Sequence, residues 1–235
     1  LKQEVIARKA VFEERTSQSP FGMFQWNDEA FAHMAHMGMD TIALWLNGPN
    51  KDHFDNFIDI NALAERAEKY GIDLRFGLYA KHNVHPDDPG AEEFYENLYG
   101  PLLDACPKFK GFGLVGEATE FHSKDPKAGK APRLMNFVDN IPTGKCTPGW
   151  WPCYDYAEWV ALIHKVAKRH CPNIQLQFST YNWGYAPVED RIALIDRLPT
   201  DITVQATWDM FEQRQMGETT QDGVDYSLNF VGPGQ

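Results

Sequence analysis

The chain has 235 residues, 43% of them hydrophobic, enough for one substantial core and close to the roughly 250 residues of an eight-fold beta/alpha barrel. Its 33 acidic residues outnumber its 22 basic ones and give a formal charge of −11, which argues against nucleic acid as a partner, because phosphate binding needs a clustered positive field. No run of about 18 apolar residues occurs, so no segment reads as a membrane span.

Residues 2–16, rich in Lys, Gln, Glu, Ala and Arg around Val5, Ile6, Ala10 and Val11, read as a leading helix that ends at the turn Ser17 to Pro20. The first residues show neither an initiator Met nor a signal-peptide pattern, which fits a fragment, a mature form or a cloned segment. A repeating pattern then begins. The expected strands are Phe21 to Trp26, Thr41 to Asn47, Asp73 to Ala80, Lys110 to Glu117, Ile174 to Tyr181 and Asp201 to Trp208. The expected helices between them are Asp28 to Met37, Ile58 to Tyr70, Ala91 to Ala105, Tyr154 to His170 and Val188 to Leu198. Residues 121–153 read as a long loop insertion. Val224 to Phe230 reads as a hairpin or a further strand. Two units needed for closure are not evident, so the single domain is expected to be truncated at Gln235 or completed by another chain. None of Cys106, Cys146, Cys153 and Cys171 lies in a Cys-x-x-Cys pair, which excludes zinc-ribbon and thioredoxin-type readings and leaves the redox compartment open.

Strict strand-helix alternation requires crossovers and hence a parallel sheet. Within the strands, one face is apolar and the other polar. Leu74, Phe76 and Leu78 oppose Arg75, Gly77 and Tyr79; Phe112 and Leu114 oppose Gly113, Val115 and Glu117. Ile174, Leu176 and Phe178 oppose Gln175, Gln177 and Ser179; Ile202, Val204, Ala206 and Trp208 oppose Thr203, Gln205, Thr207 and Asp209. An open doubly wound sheet, covered by helices on both faces, would be apolar on both. A barrel carries helices on one side and a lumen that tolerates polar groups. The expected fold is therefore an α/β TIM-type barrel, incomplete, with about six strand-helix units.

Barrels build active sites at the C-terminal ends of their strands. Here those ends gather Gln25, Trp45, Asn47, Tyr79, His82, Tyr181, Asn182, Trp183 and Trp208, together with Glu117, Glu120, Asp209 and Glu212. Rings beside amides and carboxylates suit a sugar, whose C–H faces pack on aromatics while its hydroxyls take hydrogen bonds. With Arg75 from the inward face, these residues are the expected saccharide contacts. Glycosidic cleavage needs two carboxyl groups flanking the bond, and the four acids supply candidates from two strand ends. Alternation favours Glu117 and Asp209 as the inward pair.

The rival chemistry is a divalent metal held by His82, Glu117 and Asp209, as in barrel isomerases and epimerases. His33 and His36 lie on an expected outer helix and read as structural. No Gly-x-Gly-x-x-Gly or Walker-type loop is present, so no nucleotide is expected. Lys124, Lys127, Lys130, Arg133 and Lys145 in the long loop read either as contacts for an anionic sugar or as a solvated lobe.

The text Thr119-Glu120-Phe121, then Tyr181-Asn182-Trp183, then Gln205 through Asp209-Met210-Phe211 to Gln213-Arg214 resembles the alpha-glucuronidase group of barrel glycoside hydrolases. The resemblance covers roughly 110 residues and its motifs are short. It implies Glu120 as general acid and Asp209 on the base side, with Glu117 as orienting partner or alternate. It departs at Gln215, where the group has Glu, and the group's remaining carboxylate comes from a later strand. The leading expectation is thus a glycoside hydrolase acting on an oligosaccharide or polysaccharide, with no cofactor or metal. The alternatives are a metal-dependent sugar isomerase or epimerase, and a non-catalytic barrel that binds carbohydrate through Trp45, Trp183 and Trp208.

Overall fold

The computed structural model describes residues 14, 16–19, 27–78, 80–116, 119–126, 135–138, 141–146, 153–179, 188–205, 214–216 and 219–221, and the structural statements below concern those residues. Local sequence sets where the first helices start and stop. Helix α1 (Asp28–His36) begins at Asn27, whose side chain accepts the Ala30 N–H at 2.9 Å, and carries Asp28 and Glu29 at its positive end. Helix α2 (Ile60–Glu68) begins in the same way, with Asp59 accepting from Ala62 at 3.0 Å. Gly38 and Gly71, at φ 84° and 69°, reverse the chain after each helix, a left-handed conformation that glycine adopts without a Cβ penalty. Helices α3 (Ala91–Ala105), α4 (Tyr156–His170) and α5 (Val188–Ile195) complete the set.

The strands are β1 (Thr16–Ser19), β2 (Thr41–Gly48), β3 (Lys51–Asp52), β4 (Asp73–Leu78), β5 (Phe109–Val115), β6 (Met135–Val138), β7 (Ile141–Cys146), β8 (Gln175–Ser179), β9 (Ile202–Gln205), β10 (Arg214–Met216) and β11 (Thr219–Gln221). Six of them form one parallel path, β1-β2-β4-β5-β8-β9, with β3 folded back on β2. The path follows chain order: each strand is added beside the one before it. A doubly wound sheet reverses its order at a switch point; this one does not.

Burial separates the two faces as alternation predicts. Ile42, Leu44, Leu46, Leu74, Phe76, Leu78, Phe112, Leu114, Leu176 and Phe178 all join one buried cluster. Each of the five helices contributes to that same cluster, from Phe31 on α1 to Leu194 on α5. The helices therefore lie on one side of the sheet. The opposite face carries Trp45, Asn47, Gly77, Gly113, Gln177, Thr203 and Gln205, and it is the lumen side of an incomplete beta/alpha barrel. No described helix is long and apolar enough to cross a membrane.

The N-terminal end of the lumen is closed by charge. Arg75, 2% exposed, donates from Nε to Glu14 at 2.8 Å and from Nη2 to Gln175 Oε1 at 2.5 Å. Gly111 makes this possible, since a Cβ there would stand 2.3 Å from Arg75 Nη1 and 2.2 Å from the Gln175 carbonyl oxygen. Lys110 lies 3.6 Å from Glu14 and 3.1 Å from Asp73. On the outer side, α3 and α4 are tied by Lys165–Glu92 at 2.7 Å, Arg169–Glu96 at 3.1 Å and His170–Asp104 at 2.7 Å. Hydrogen bonding to Asp104, then to Glu96, holds the His170 imidazole above its ordinary pKa.

Three local expectations change. The first described strand is Thr16–Ser19, where the sequence reads as a helix end and a turn; Phe21 to Trp26 and most of the leading helix lie outside the described residues. Strand β1, polar in sequence, pairs along its backbone with Thr41 to Leu44. The long insertion contains the antiparallel hairpin β6–β7, and a second hairpin, β10–β11, follows Gln213. The expected element at Val224 to Phe230 lies outside the described residues.

Candidate active site at the strand ends

Of the expected site residues, Trp45, Asn47, Arg75, His82 and Glu120 are described. Gln25, Tyr79, Glu117, Tyr181, Asn182, Trp183, Trp208, Asp209 and Glu212 lie outside the described residues.

Trp45 and Asn47 occupy lumen-side positions toward the C-terminal end of β2. The Trp45 ring lies over Gly77 on the neighbouring strand, where a Cβ would approach ring carbon Cε3 to 2.8 Å. Gly77 thus leaves a flat place for the indole, and Asn47 beyond it is exposed.

Glu120 reaches the same side by a break in alternation. Strand β5 stops at Val115, and Gly116 opens a turn whose carbonyl accepts from the Thr119 hydroxyl at 2.7 Å and the Tyr156 hydroxyl at 3.2 Å. Pairing then resumes: Thr119 bridges to His82, and the Glu120 N–H donates to the His82 carbonyl at 2.8 Å. Thr119 and Phe121 are buried, so the side chain between them turns the other way. Glu120 is accordingly 33% exposed, and its Oε1 lies 3.3 Å from Lys81 Nζ. Because the turn shifts the parity, an even-numbered residue now shares the side held by odd-numbered Val115.

Two expectations need correction. His82 does not face the rim. It is 1% exposed, shares a 2.9 Å hydrogen bond between Nε2 and the Tyr99 hydroxyl, lies nearly parallel to the Tyr95 and Tyr99 rings, and meets Trp159 edge-on at 5.2 Å. Simple alternation explains this, since positions 74, 76, 78 and 82 share the helix side and Lys81 takes the lumen side. The metal set of His82, Glu117 and Asp209 thereby loses its histidine, and no cluster of three metal-ligating groups occurs among the described residues. Arg75 sits at the opposite end of the lumen from the rim, held by Glu14 and Gln175, so its role is to close the barrel floor.

Sequence reasoning missed Lys81 and a buried pair behind the rim. His85 Nδ1 accepts the Asp87 N–H at 3.0 Å, and its Nε2 lies 3.5 Å from Asp155 Oδ1. Phe121 packs edge-on to the His85 ring at 5.1 Å. Asp88 accepts from the His85 N–H at 3.1 Å and from Lys124 at 2.7 Å, and the Lys124 bond holds its carboxyl below the ordinary range. Phe121 and Lys124, flanking the segment after Glu120, are thus both fastened to the turn 85–88. Of the five loop cations, Lys124 is engaged by Asp88; the Lys127, Lys130, Arg133 and Lys145 side chains are outside the description. His85 follows His82 at three residues, a spacing that carries no sign of a pairing with Asp155.

No protein-family model matches the sequence, and no curated protein matches it. Among solved structures the chain is similar to a mutant O-GlcNAc hydrolase from Thermobaculum terrenum, with a TM-score of 0.52 and 14% identity over 82% of this chain and 40% of that one. It is also similar to a sugar phosphate isomerase/epimerase from Parabacteroides distasonis, with a TM-score of 0.49 and 8% identity over 85% and 67%. A beta-mannanase from the blue mussel Mytilus edulis gives a TM-score of 0.42 and 15% identity over 80% and 64%. The chain spans 40% of the length of the O-GlcNAc hydrolase. At such identities the likeness concerns the fold, and the fold is that of an incomplete beta/alpha barrel.

Proposed function

We propose that the chain carries the larger part of the beta/alpha barrel of a glycoside hydrolase whose active site lies at the C-terminal rim, with Glu120 as general acid. The carrying observation is the placement of Glu120: a carboxylate on the lumen side, its backbone anchored to His82 and its neighbours Thr119 and Phe121 buried, on the same side as Trp45 and Asn47. Asp209 serves on the base side and Glu117 as orienting partner or alternate acid, with Glu212 a further carboxylate at the same rim; Gln25, Tyr79, Tyr181, Asn182, Trp183 and Trp208 complete the sugar contacts. The acid protonates the leaving oxygen while the opposing carboxylate attacks or activates water. The resemblance to alpha-glucuronidases makes a saccharide bearing glucuronic acid the preferred substrate. Support from fold comes from the similar solved structure, by name an O-GlcNAc hydrolase.

Incubation of the purified protein with glucuronic-acid-substituted xylo-oligosaccharides in water enriched in heavy oxygen tests the reaction class. Hydrolysis places heavy oxygen on the newly released product, whereas isomerisation rearranges the sugar without cleaving it. Release of labelled product is expected. Rearranged sugar of unchanged chain length, or binding with no turnover, would contradict the proposal in favour of an isomerase or a carbohydrate-binding barrel.

A further inference from the structure

The loop between Gly48 and Ile58 leaves the rim end of β2 and has no part in the reading above. Strand β3 folds it back through a bulge, pairing Leu46 with Asp52 and Gly48 with Lys51. Buried Asp52 is its hub, accepting from the N–H groups of Phe54 at 2.8 Å and Asn56 at 2.9 Å and from the Asn56 amide at 3.1 Å. Backbone bonds from Ile58 to Asn50 and from Asp52 to Asn56, each 3.0 Å, close the loop. Asn50 and Asp55 take left-handed φ values of 52° and 63°, which Asn and Asp tolerate better than other side chains. The loop is therefore held in one shape by its own polar groups.

That fixed shape presents rings to solvent. Phe57 is 80% exposed and Phe54 57%, and His53 stands edge-on to Phe54 at 4.9 Å. The other large apolar residues found exposed among the described ones, Met37 and Ile192, lie in the turn from α1 into the N-terminal end of β2 and on α5, not at the C-terminal ends of the strands. Two exposed phenyl rings within four residues, beside the proposed mouth, form more than scattered surface apolarity.

We propose that this loop is a saccharide-binding platform on which Phe57, with Phe54 beside it, stacks on a sugar unit distant from the cleaved bond. The inference rests on the glycosidase reading and adds that the substrate is an oligosaccharide, not a simple glycoside. Continuity supports it: Trp45 and Asn47 on β2 lead directly into the loop, so a chain bound along the lumen side of β2 reaches the loop that carries the rings. The chemistry also fits. Lys51, Asp55 and Asn56 are exposed around the rings, offering hydrogen bonds to hydroxyls while the phenyl faces meet C–H groups. A protein interface instead needs a contiguous apolar centre that excludes water.

The test measures calorimetric affinity of the full chain for xylo-, glucuronic-acid-substituted xylo-, manno-, gluco- and N-acetylglucosamine oligosaccharides, from monosaccharide to hexasaccharide. Wild-type affinity should rise with length for one series, and the double variant Phe54→Ala, Phe57→Ala should bind its hexasaccharide about tenfold more weakly while binding the shortest ligand as before. Both side chains are exposed, and circular dichroism checks that the variant folds. Equal hexasaccharide affinity in variant and wild type overturns the platform but leaves the Glu120 assignment standing. A wild-type dimer that the variant loses, with sugar affinity unchanged, overturns it in favour of a second copy on the rings. No binding by the wild type in any series overturns the platform and the sugar reading together.

Discussion

Glu120→Gln is expected to slow saccharide cleavage by about two to four orders of magnitude, the usual contribution of a positioned general acid, while leaving stability nearly unchanged. The two effects separate because the Glu120 side chain does little for the fold. Its ion partner Lys81 is 79% exposed, and surface pairs of this kind contribute roughly 0–1 kcal/mol. The anchors of the segment are backbone and buried groups: the Glu120 N–H on His82, the Thr119 hydroxyl on Gly116 and the Phe121 ring on His85. Glutamine keeps all of them and removes only the proton. Steady-state rates beside thermal unfolding of the same preparations check both halves. Unchanged turnover would remove Glu120 from the chemistry and shift the acid role to Glu117.

Arg75→Leu is expected to destabilise the chain by about 3 kcal/mol, the lower part of the range for breaking a buried ion pair, because Glu14 keeps some contact with water. The substitution leaves Glu14 with Lys110 at 3.6 Å and strips Gln175 of a donor. Burial pushes the Glu14 carboxyl up, but hydrogen bonds from Arg75 and Thr16 and the charges of Arg75 and Lys110 more than offset it, so its pKa lies below the usual carboxylate range. A depressed folded-state pKa adds stability above the unfolded value, about pH 4, and that share disappears as pH falls through the folded value. Denaturant unfolding should therefore show wild type losing stability on acidification, with Arg75→Leu losing less because its Glu14 has less to lose. Parallel acid limbs in the two proteins would show that the pair does not hold the barrel floor.

The fold was legible because period-two burial is written directly into the strands. Leu74, Phe76 and Leu78 against Arg75 and Gly77, or Leu176 and Phe178 against Gln175 and Gln177, announce one apolar face and hence helices on one side. Strand β1 was not legible, since Thr16 to Ser19 is polar and carries no apolar alternation. At the site, trust in alternation cut both ways. Followed past Leu78 it sends His82 under the helices and Lys81 to the lumen, although the place of His82 in a rim loop suggests a substrate contact. Followed past Val115 it points to Glu117, which lies outside the described residues, while the turn from Gly116 to Thr119 sets Glu120 opposite buried Thr119 and Phe121. Such a turn depends on the Tyr156 and Thr119 hydroxyls meeting one carbonyl, a coincidence of distant residues that no local pattern records. The clamp of His85 with Asp155 spans 70 positions for the same reason.

The account depends on sugar binding to the lumen side of the sheet at its C-terminal rim. The most direct measurement is the indole N–H spectrum during saccharide titration, with Trp45 identified among the seven tryptophans by Trp45→Phe. The Trp45 signal should move in step with binding while that of Trp159, buried among the helices, stays still. Saturable binding that leaves Trp45 unmoved would place the ligand elsewhere and contradict the assignment of this face.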